Sequence, residues 1–381
     1  MKFKPVKTAV IGCGMISDTY LENLKNTFEI IDLVGCSDIV EEKAKAQAEK
    51  YGIRQMTNEE ILSDPEIELV VNLTYASAHF EVNKQILEAK KHCYCEKMVC
   101  LTDEEANELN EIRLKNNLMF SIAPDTFLGA SQQTARYIVD HGLIGTPLQA
   151  TVHLSRGYFM IKSDEDDAKR KYSVMAEGGG MPYDMGGYYL HELFNILGNV
   201  NRVCGFAKTN NKVRPYLNPK HSKFNDDFTV NTPNTISAVL EFECGVYCNF
   251  SMSSEYNTGR HLFEIYGTEG RLILGDPNQF DGAVYLQKGN SEPIEFPLCH
   301  PYKKSSRGIG AADMAWALRT KRSPRLSCEM GLASLEIINA VLDCTEDNKV
   351  KTIKNKFKKP APISSEFYGG ACEERNLFLF E

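Results

Sequence analysis

Apolar positions fall in two regimes along this chain. Up to residue 122, short apolar runs at 8–11, 30–37, 68–74, 92–95 and 119–122 alternate with helical stretches at 41–51, 78–90 and 103–116. Runs of this length, separated by helices, predict parallel strands buried on both faces. Past Pro124 the pattern changes. One helix is predicted at 131–140, then strand-like segments at 235–242, 246–252, 261–266 and 283–287 with little helix between them. Consecutive strands joined by short turns predict a mostly antiparallel sheet. Helices resume at 308–318 and 328–344, and the acidic stretch 163–167 reads as a solvated loop. The expected fold class is α/β. A doubly wound parallel sheet should occupy residues 1–123, and an α+β domain with a large, open, mostly antiparallel sheet residues 124–381. No internal repeat or long linker is visible, so the two domains should pack closely around a cleft.

Composition narrows the class. The chain has 381 residues, 43% hydrophobic and 25% charged, ordinary for a soluble two-domain protein. No apolar run approaches the roughly 20 residues that span a bilayer. The opening Met1-Lys2-Phe3-Lys4 does not read as a secretory leader. A net charge of -8, without an aromatic-interleaved basic stripe, speaks against a nucleic-acid partner. The 12 cysteines lie mostly in apolar runs and lack zinc-site spacing, so no metal is expected. Reduced thiols of a cytoplasmic protein are the expectation.

The strand at 8–11 runs straight into Gly12-Cys13-Gly14-Met15-Ile16-Ser17, and a helix follows. A dinucleotide fold needs the first glycine for a tight turn and the second so that backbone can approach a pyrophosphate. The helix then offers free N–H groups and its positive dipole end. Ser17 stands where a third glycine or alanine is usual, and it is still small. Asp38 ends the second strand. A carboxylate there accepts hydrogen bonds from ribose hydroxyls and repels a 2′-phosphate, which favours NAD over NADP. A simple turn aspartate would look the same. Thr74 and Tyr75 end the third strand of the unit, where ligands of such sheets bind, and His79 follows in a helix's first turn.

Glu96-Lys97 follows the next short strand. A lysine at a strand's carboxyl end can hydrogen-bond a substrate hydroxyl and stabilise the alkoxide that forms. Exposed Glu-Lys pairs are also common in loops. In the second half, Gly178-Gly179-Gly180 leads into a predicted helix carrying Asp184, Tyr188 and His191. Their i, i+4, i+7 spacing places all three on one face, a possible proton-transfer set. A helix packed by Met185, Leu190, Leu193, Phe194 and Leu197 would carry the same polar residues incidentally.

Together these stretches resemble the glucose–fructose oxidoreductase / inositol dehydrogenase / rhizopine catabolism family of NAD(P)-dependent sugar and polyol oxidoreductases. The resemblance covers nearly the whole chain. Glu96-Lys97 is similar to the family's Glu-Lys-Pro motif, whose lysine is catalytic. Ala123 to Ala130 resembles a crossover stretch of one branch, and Gly178 to Tyr188 the branch's second-domain active-site helix. Tyr266 to Gly270, Asp276-Pro277-Asn278 and Arg307 to Met314 match the same branch. Met98 departs from the motif's proline, which is commonly cis, so a trans bond or a reshaped loop is expected here. Ala76 replaces another usual proline, and Tyr188 stands where many relatives have histidine.

The resemblance implies an NAD-dependent oxidoreductase of sugars, glycosides or cyclic polyols. Lys97 and Tyr188 would handle the hydroxyl proton, Asp184 would orient or tune Lys97, and His191 would add a second titratable group. Gly12, Gly14, Met15, Ile16, Ser17, Asp38, Thr74, Tyr75, His79, Glu96 and Lys97 would line the cofactor. The open sheet would form a homodimer or homotetramer surface. Two alternatives stay open at this level. One is a redox-neutral enzyme with retained NAD, performing elimination or epimerisation. The other is a non-catalytic NAD-binding sensor.

Overall fold

The computed structural model describes residues 3–157, 164, 178–256 and 258–363. Strands β1 (Val6–Ile11), β2 (Ile31–Ser37), β3 (Arg54–Gln55), β4 (Leu69–Asn72), β5 (His92–Cys95) and β6 (Phe120–Ile122) form one parallel sheet. Its order is β3-β2-β1-β4-β5-β6, the doubly wound arrangement. Helices α1 (Ser17–Asn26), α2 (Glu41–Tyr51), α3 (Asn58–Ser63), α4 (Ala76–Glu88) and α5 (Asp103–Lys115) make the crossovers. Thr57 and Thr102 each start a helix through a capping box with the glutamate three residues on. The register fixes where the ligand edge lies. Ile11 pairs with both Ser37 and Asn72, and Asn72 pairs with Cys95. Gly12, Asp38, Leu73 and Glu96 therefore leave the sheet along one edge.

The chain crosses over through Pro124 to α6 (Ala130–Asp140) and builds a second sheet. Its strands are β7 (Pro147–Gly157), β8 (Val200–Lys208), β11 (Thr235–Phe242), β12 (Tyr247–Tyr256), β13 (Arg260–Gly267), β14 (Gly270–Ile273), β15 (Val284–Lys288), β16 (Ile294–Phe296) and β17 (Lys351–Thr352). The short pair β9 (Val213–Pro215) and β10 (Asp227–Thr229) stands apart. The nine-stranded order is β16-β15-β14-β13-β7-β12-β11-β8-β17. All its pairings are antiparallel except β7 with β12, as the sequence led us to expect. The central strand β7, and β8 nearer the sheet's edge, were not anticipated. The expected acidic loop at 163–167 lies outside the described residues, Asp164 excepted.

One face of this sheet is covered by α7 (Gly180–Leu197) and α9 (Cys328–Asp347). Along β11 the burial alternates, with Ile236, Ala238, Leu240 and Phe242 inward and Val239 outward. The opposite face leaves Phe206, Val239 and Tyr247 exposed.

The last helices return to the first sheet. Between α8 (Ile309–Thr320) and α9, the Leu326 carbonyl accepts from Ser121 Oγ at 2.5 Å. Trp316 meets Phe3 edge-on at 5.8 Å, and Arg319 pairs with Glu68 at 2.6 Å. α9 touches β6 so closely that a Cβ on Gly331 would stand 2.5 Å from Ile122 Cβ. Both crossings between the sheets pass through one neck. There Asp125, fully buried, accepts from the N–H groups of Gly308 at 2.8 Å and Gly310 at 3.1 Å, tying the outgoing chain to the start of α8.

Cys36, Cys93, Cys95, Cys100 and Cys248 are buried thiols, whereas Cys204 and Cys244 are exposed. Among the described residues no helix is long and apolar enough to cross a membrane.

Candidate active site

A cavity of about 820 Å³ runs from the glycine turn to the start of α7. The turn itself admits only glycine at its first position. Gly12 has φ +104°, and a Cβ there would stand 2.7 Å from the Leu73 carbonyl carbon. Gly14 has open space where a Cβ would be and faces the cavity. Met15 and Ile16 also line it. Ser17 does not. Its hydroxyl turns back to donate to the Gly14 carbonyl at 2.6 Å and braces the turn. Asp38 lies on the wall, with Oδ2 accepting from Cys13 N at 2.7 Å and Oδ1 from Val40 N at 2.9 Å. An open glycine cradle beside an anchored carboxylate fits a dinucleotide.

Thr74, Tyr75 and buried His79 line the cavity. The His79 ring bridges two turns, with Nδ1 2.5 Å from the Met98 carbonyl and Nε2 2.9 Å from that of Thr74. Burial lowers its pKa, and the two carbonyls oppose that effect. The Lys97–Met98 peptide bond is cis, which corrects the expectation of a trans bond.

Glu96 anchors the loop from behind. Its Oε1 accepts from Tyr20 Oη at 2.5 Å and its Oε2 from the Lys97 backbone N–H at 3.1 Å. Lys97 Nζ donates to Asp184 twice, to Oδ1 at 2.7 Å and to the carbonyl at 2.7 Å. The Tyr188 ring centre is 5.6 Å from that Nζ. Burial disfavours the ammonium. The Asp184 carboxylate, helped by Tyr188, outweighs it and holds the Lys97 pKa above its ordinary value. Burial raises the Tyr188 phenol, while the charges of Lys97 and Arg307 pull it back down.

The third residue of the helix face does not join this group. His191 is 1% exposed and is not part of the cavity wall. Its Nδ1 lies 3.0 Å from the Pro124 carbonyl, and Phe127 packs edge-on against the ring. Burial pushes its pKa down to about 4, against the pull of that carbonyl. Periodicity gave the right direction around the helix, but the crossover segment covers the helix one turn past Tyr188.

Several wall residues escaped the sequence reading as site residues, among them Lys43, Asn58, Tyr183, Asn278 and Arg307. Asn278 comes from the loop between β14 and β15, and Arg307 from the residue before Gly308. Arg307 Cζ stands 5.4 Å from the Tyr188 ring centre, so two cations approach one phenol. Asn278 and Arg307 lay inside stretches that resemble the family branch, and that was the available signal.

Residues 6–123 match the model of the oxidoreductase family with an NAD-binding Rossmann fold. Residues 132–273 match the GFO/IDH/MocA C-terminal domain. An uncharacterized oxidoreductase of Schizosaccharomyces pombe is 29% identical over 216 residues, 55% of this chain and 57% of that protein. An inositol 2-dehydrogenase of Salmonella paratyphi B is 29% identical over 147 residues, 38% of this chain and 44% of that one. The chain thus spans about half the length of the curated relatives it matches. A levoglucosan dehydrogenase solved with NADH and L-sorbose shares the fold, with a TM-score of 0.76 at 16% identity, covering 92% of this chain and 99% of that one. With a glycine cradle of the right shape at one end of its cavity and both family models in order along its length, the chain belongs to the GFO/IDH/MocA oxidoreductase family, with an NAD-binding Rossmann domain at its N-terminal end.

Proposed function

We propose that this protein is an NAD-dependent oxidoreductase acting on a CH–OH group of a sugar, glycoside or cyclic polyol. The observation that carries the reading is the Lys97–Asp184 contact at 2.7 Å beside Tyr188, in the same cavity as the glycine turn. Gly12, Gly14 and Asp38 would hold the dinucleotide, with Asp38 selecting NAD over NADP. Bound NAD supplies the hydride acceptor.

The remaining chemistry falls to this chain's own groups. Asp184 keeps Lys97 charged, so Lys97 acts as a hydrogen-bond donor to the substrate oxygen and steadies the alkoxide rather than taking its proton. Tyr188 is then the group placed to accept that proton. Burial keeps its pKa above the ordinary value, and the cations of Lys97 and Arg307 offset part of that rise. Burial of the phenol and the protein wall keeps bulk water from the pair. The reading includes a cytoplasmic homo-oligomer, supported by the exposed Phe206, Val239 and Tyr247 on the second sheet.

The test is a screen of sugars, glycosides and inositols, following NADH absorbance. Stoichiometric NADH with at least one substrate is expected, and Lys97→Ala should slow its formation about 10²-fold or more. Product formed without NADH release would replace the reading with redox-neutral chemistry.

A further inference from the structure

The proton chemistry of Lys97 and Tyr188 uses Arg307 only through space, yet Arg307 is built into the wall as firmly as either. Its carbonyl accepts from Asn23 Nδ2 at 2.9 Å, and Asp125 fixes the two N–H groups just after it. The side chain is mostly buried and faces the cavity. Nη2 donates to Asn278, to Oδ1 and to the carbonyl at 3.3 Å. Among the described residues no carboxylate lies within ion-pair distance of this guanidinium, and its Nε and Nη1 have no acceptor. Lys97 is not in this position, because Asp184 meets its charge directly.

The acids nearby make their hydrogen bonds elsewhere. Glu96 accepts from Tyr20 and from the Lys97 backbone, and Asp125 from the start of α8. Asn278 adds a donor. Its Oδ1 accepts from Arg307, so its Nδ2 is the end left to give a proton toward a ligand. A guanidinium with free N–H groups in a fork, beside an amide N–H, is shaped for a planar oxyanion. Glu96 and Asp125 act on the Arg307 charge only through space, so the N–H groups of its fork are left for an oxyanion that a ligand can bring.

We infer that Arg307 and Asn278 form a carboxylate-binding subsite at the reactive end of the cavity, and that the substrate is a polyhydroxy acid such as a uronate or aldonate. The inference rests on the dehydrogenase reading and narrows its substrate class. Arg307 and Lys97 both border Tyr188, so one small molecule can present a carboxylate to the first and a hydroxyl to the second. A phosphate of the dinucleotide shares the same oxyanion chemistry. The Arg307 guanidinium donates to Asn278 and borders the Tyr188 ring, which favours the substrate end of the cavity over the glycine turn.

The test is calorimetric titration of the NAD-loaded protein with D-glucuronate, D-galacturonate and D-gluconate, each beside its neutral counterpart, D-glucose, D-galactose and D-glucitol. At least one acid should bind about tenfold or more tightly than its neutral partner, the scale of one charge-assisted pair. Arg307→Gln should bring the two within about twofold, and Arg307→Lys should restore only part of the difference, since lysine keeps the charge without the fork. Thermal unfolding checks that both variants fold, and Lys97→Ala should keep the acid preference while losing turnover. NAD affinity measured without sugar should stay within about twofold in Arg307→Gln. If no acid outbinds its neutral partner, or Arg307→Gln leaves the preference intact, the subsite is wrong. A tenfold loss of NAD affinity in Arg307→Gln, with acid binding unchanged, would assign the guanidinium to the cofactor instead. Acid binding that depends on Arg307, with no NADH formed from any of the six compounds, would sink the dehydrogenase reading and leave the subsite standing.

Discussion

The two glycines of the N-terminal turn should fail in opposite ways when each is replaced by alanine. At Gly12 the added Cβ runs into the Leu73–Thr74 peptide, with Leu73 C at 2.7 Å, Leu73 O at 2.8 Å and Thr74 N at 2.8 Å. None of these is the end of a flexible side chain, so β1 and β4 would have to move apart. Its φ of +104° is also one that alanine rarely adopts. The backbone conformation costs about 1–3 kcal/mol, and forcing an extra methyl into packed structure about 1–3 kcal/mol more. Together that is roughly 2–6 kcal/mol, or a fall in Tm of roughly 5–15 °C for the unit that unfolds. At Gly14 nothing lies within 4 Å of the added atom, and its φ is not positive. Gly14→Ala should therefore leave Tm within about 2 °C, because an unstrained alanine changes stability by only about 1 kcal/mol or less. Its methyl instead occupies the space that the turn keeps clear for a ligand. NAD affinity should fall about tenfold or more, the scale of losing a charged hydrogen bond. Differential scanning fluorimetry and calorimetric NAD titration read the two effects separately. Equal Tm losses in the two variants, or a Gly14→Ala protein that binds NAD normally, would refute the assignment of steric need to Gly12 and ligand space to Gly14.

Lys97→Ala should cut turnover about 10²-fold or more while NAD still binds; near-normal turnover would reduce the lysine to a loop residue. Asp38→Ala should narrow the gap between NAD and NADP affinity, and equal affinities in the unmodified protein would remove the carboxylate from cofactor choice. Tyr188→Phe should lower turnover with little change in Tm, and because burial raises the phenol pKa, oxidation by the unmodified enzyme should still be rising with pH above neutrality; a rate that falls there contradicts Tyr188 as proton acceptor. His191 makes a different prediction from the one its spacing suggests. Its pKa is pushed down to about 4, so the native state resists the proton that the unfolded chain takes up near 6.5. Its contribution is complete above pH 6.5 and is lost as the pH falls toward 4, a change on the order of 3 kcal/mol. His191→Leu should flatten the stability curve in that window without altering the pH–rate profile. An unchanged stability slope, or a shifted rate profile, would place the histidine in the chemistry after all.

Most of the first sheet was legible because its strands are short, fully buried and end in residues with special roles. Gly12, Asp38 and Lys97 each follow a strand end, and the parallel register carries them to one edge without further information. The second sheet was harder. β7 carries Thr151, His153, Ser155 and Arg156 among its apolar residues, so its 11-residue run did not stand out, although it is the central strand. Local pattern also failed for Arg307 and Asn278. They reach the cavity from two distant stretches, joined only when α8 packs back on the first sheet. His191 shows the matching limit. Helical periodicity specifies direction around an axis, but what covers each turn is decided by Pro124 and Phe127, more than 60 residues earlier.

The double crossing at Asp125 and Gly308 bears on how this architecture can be recombined. A chimaera that grafts another relative's sheet onto this nucleotide-binding half needs two splice points, one on each side of the neck. They are not independent. The carboxylate contributed by one junction caps the helix that begins at the other, so cutting at Asp125 alone strips α8 of its N-terminal partner. A graft that carries both junctions from the same parent keeps that bond and hands over Arg307 along with it. Mixed junctions would join two polypeptides whose sheets are sound and whose shared wall is not. The neck is thus the natural unit of exchange, and residues 124–130 and 302–310 should be inherited as a pair.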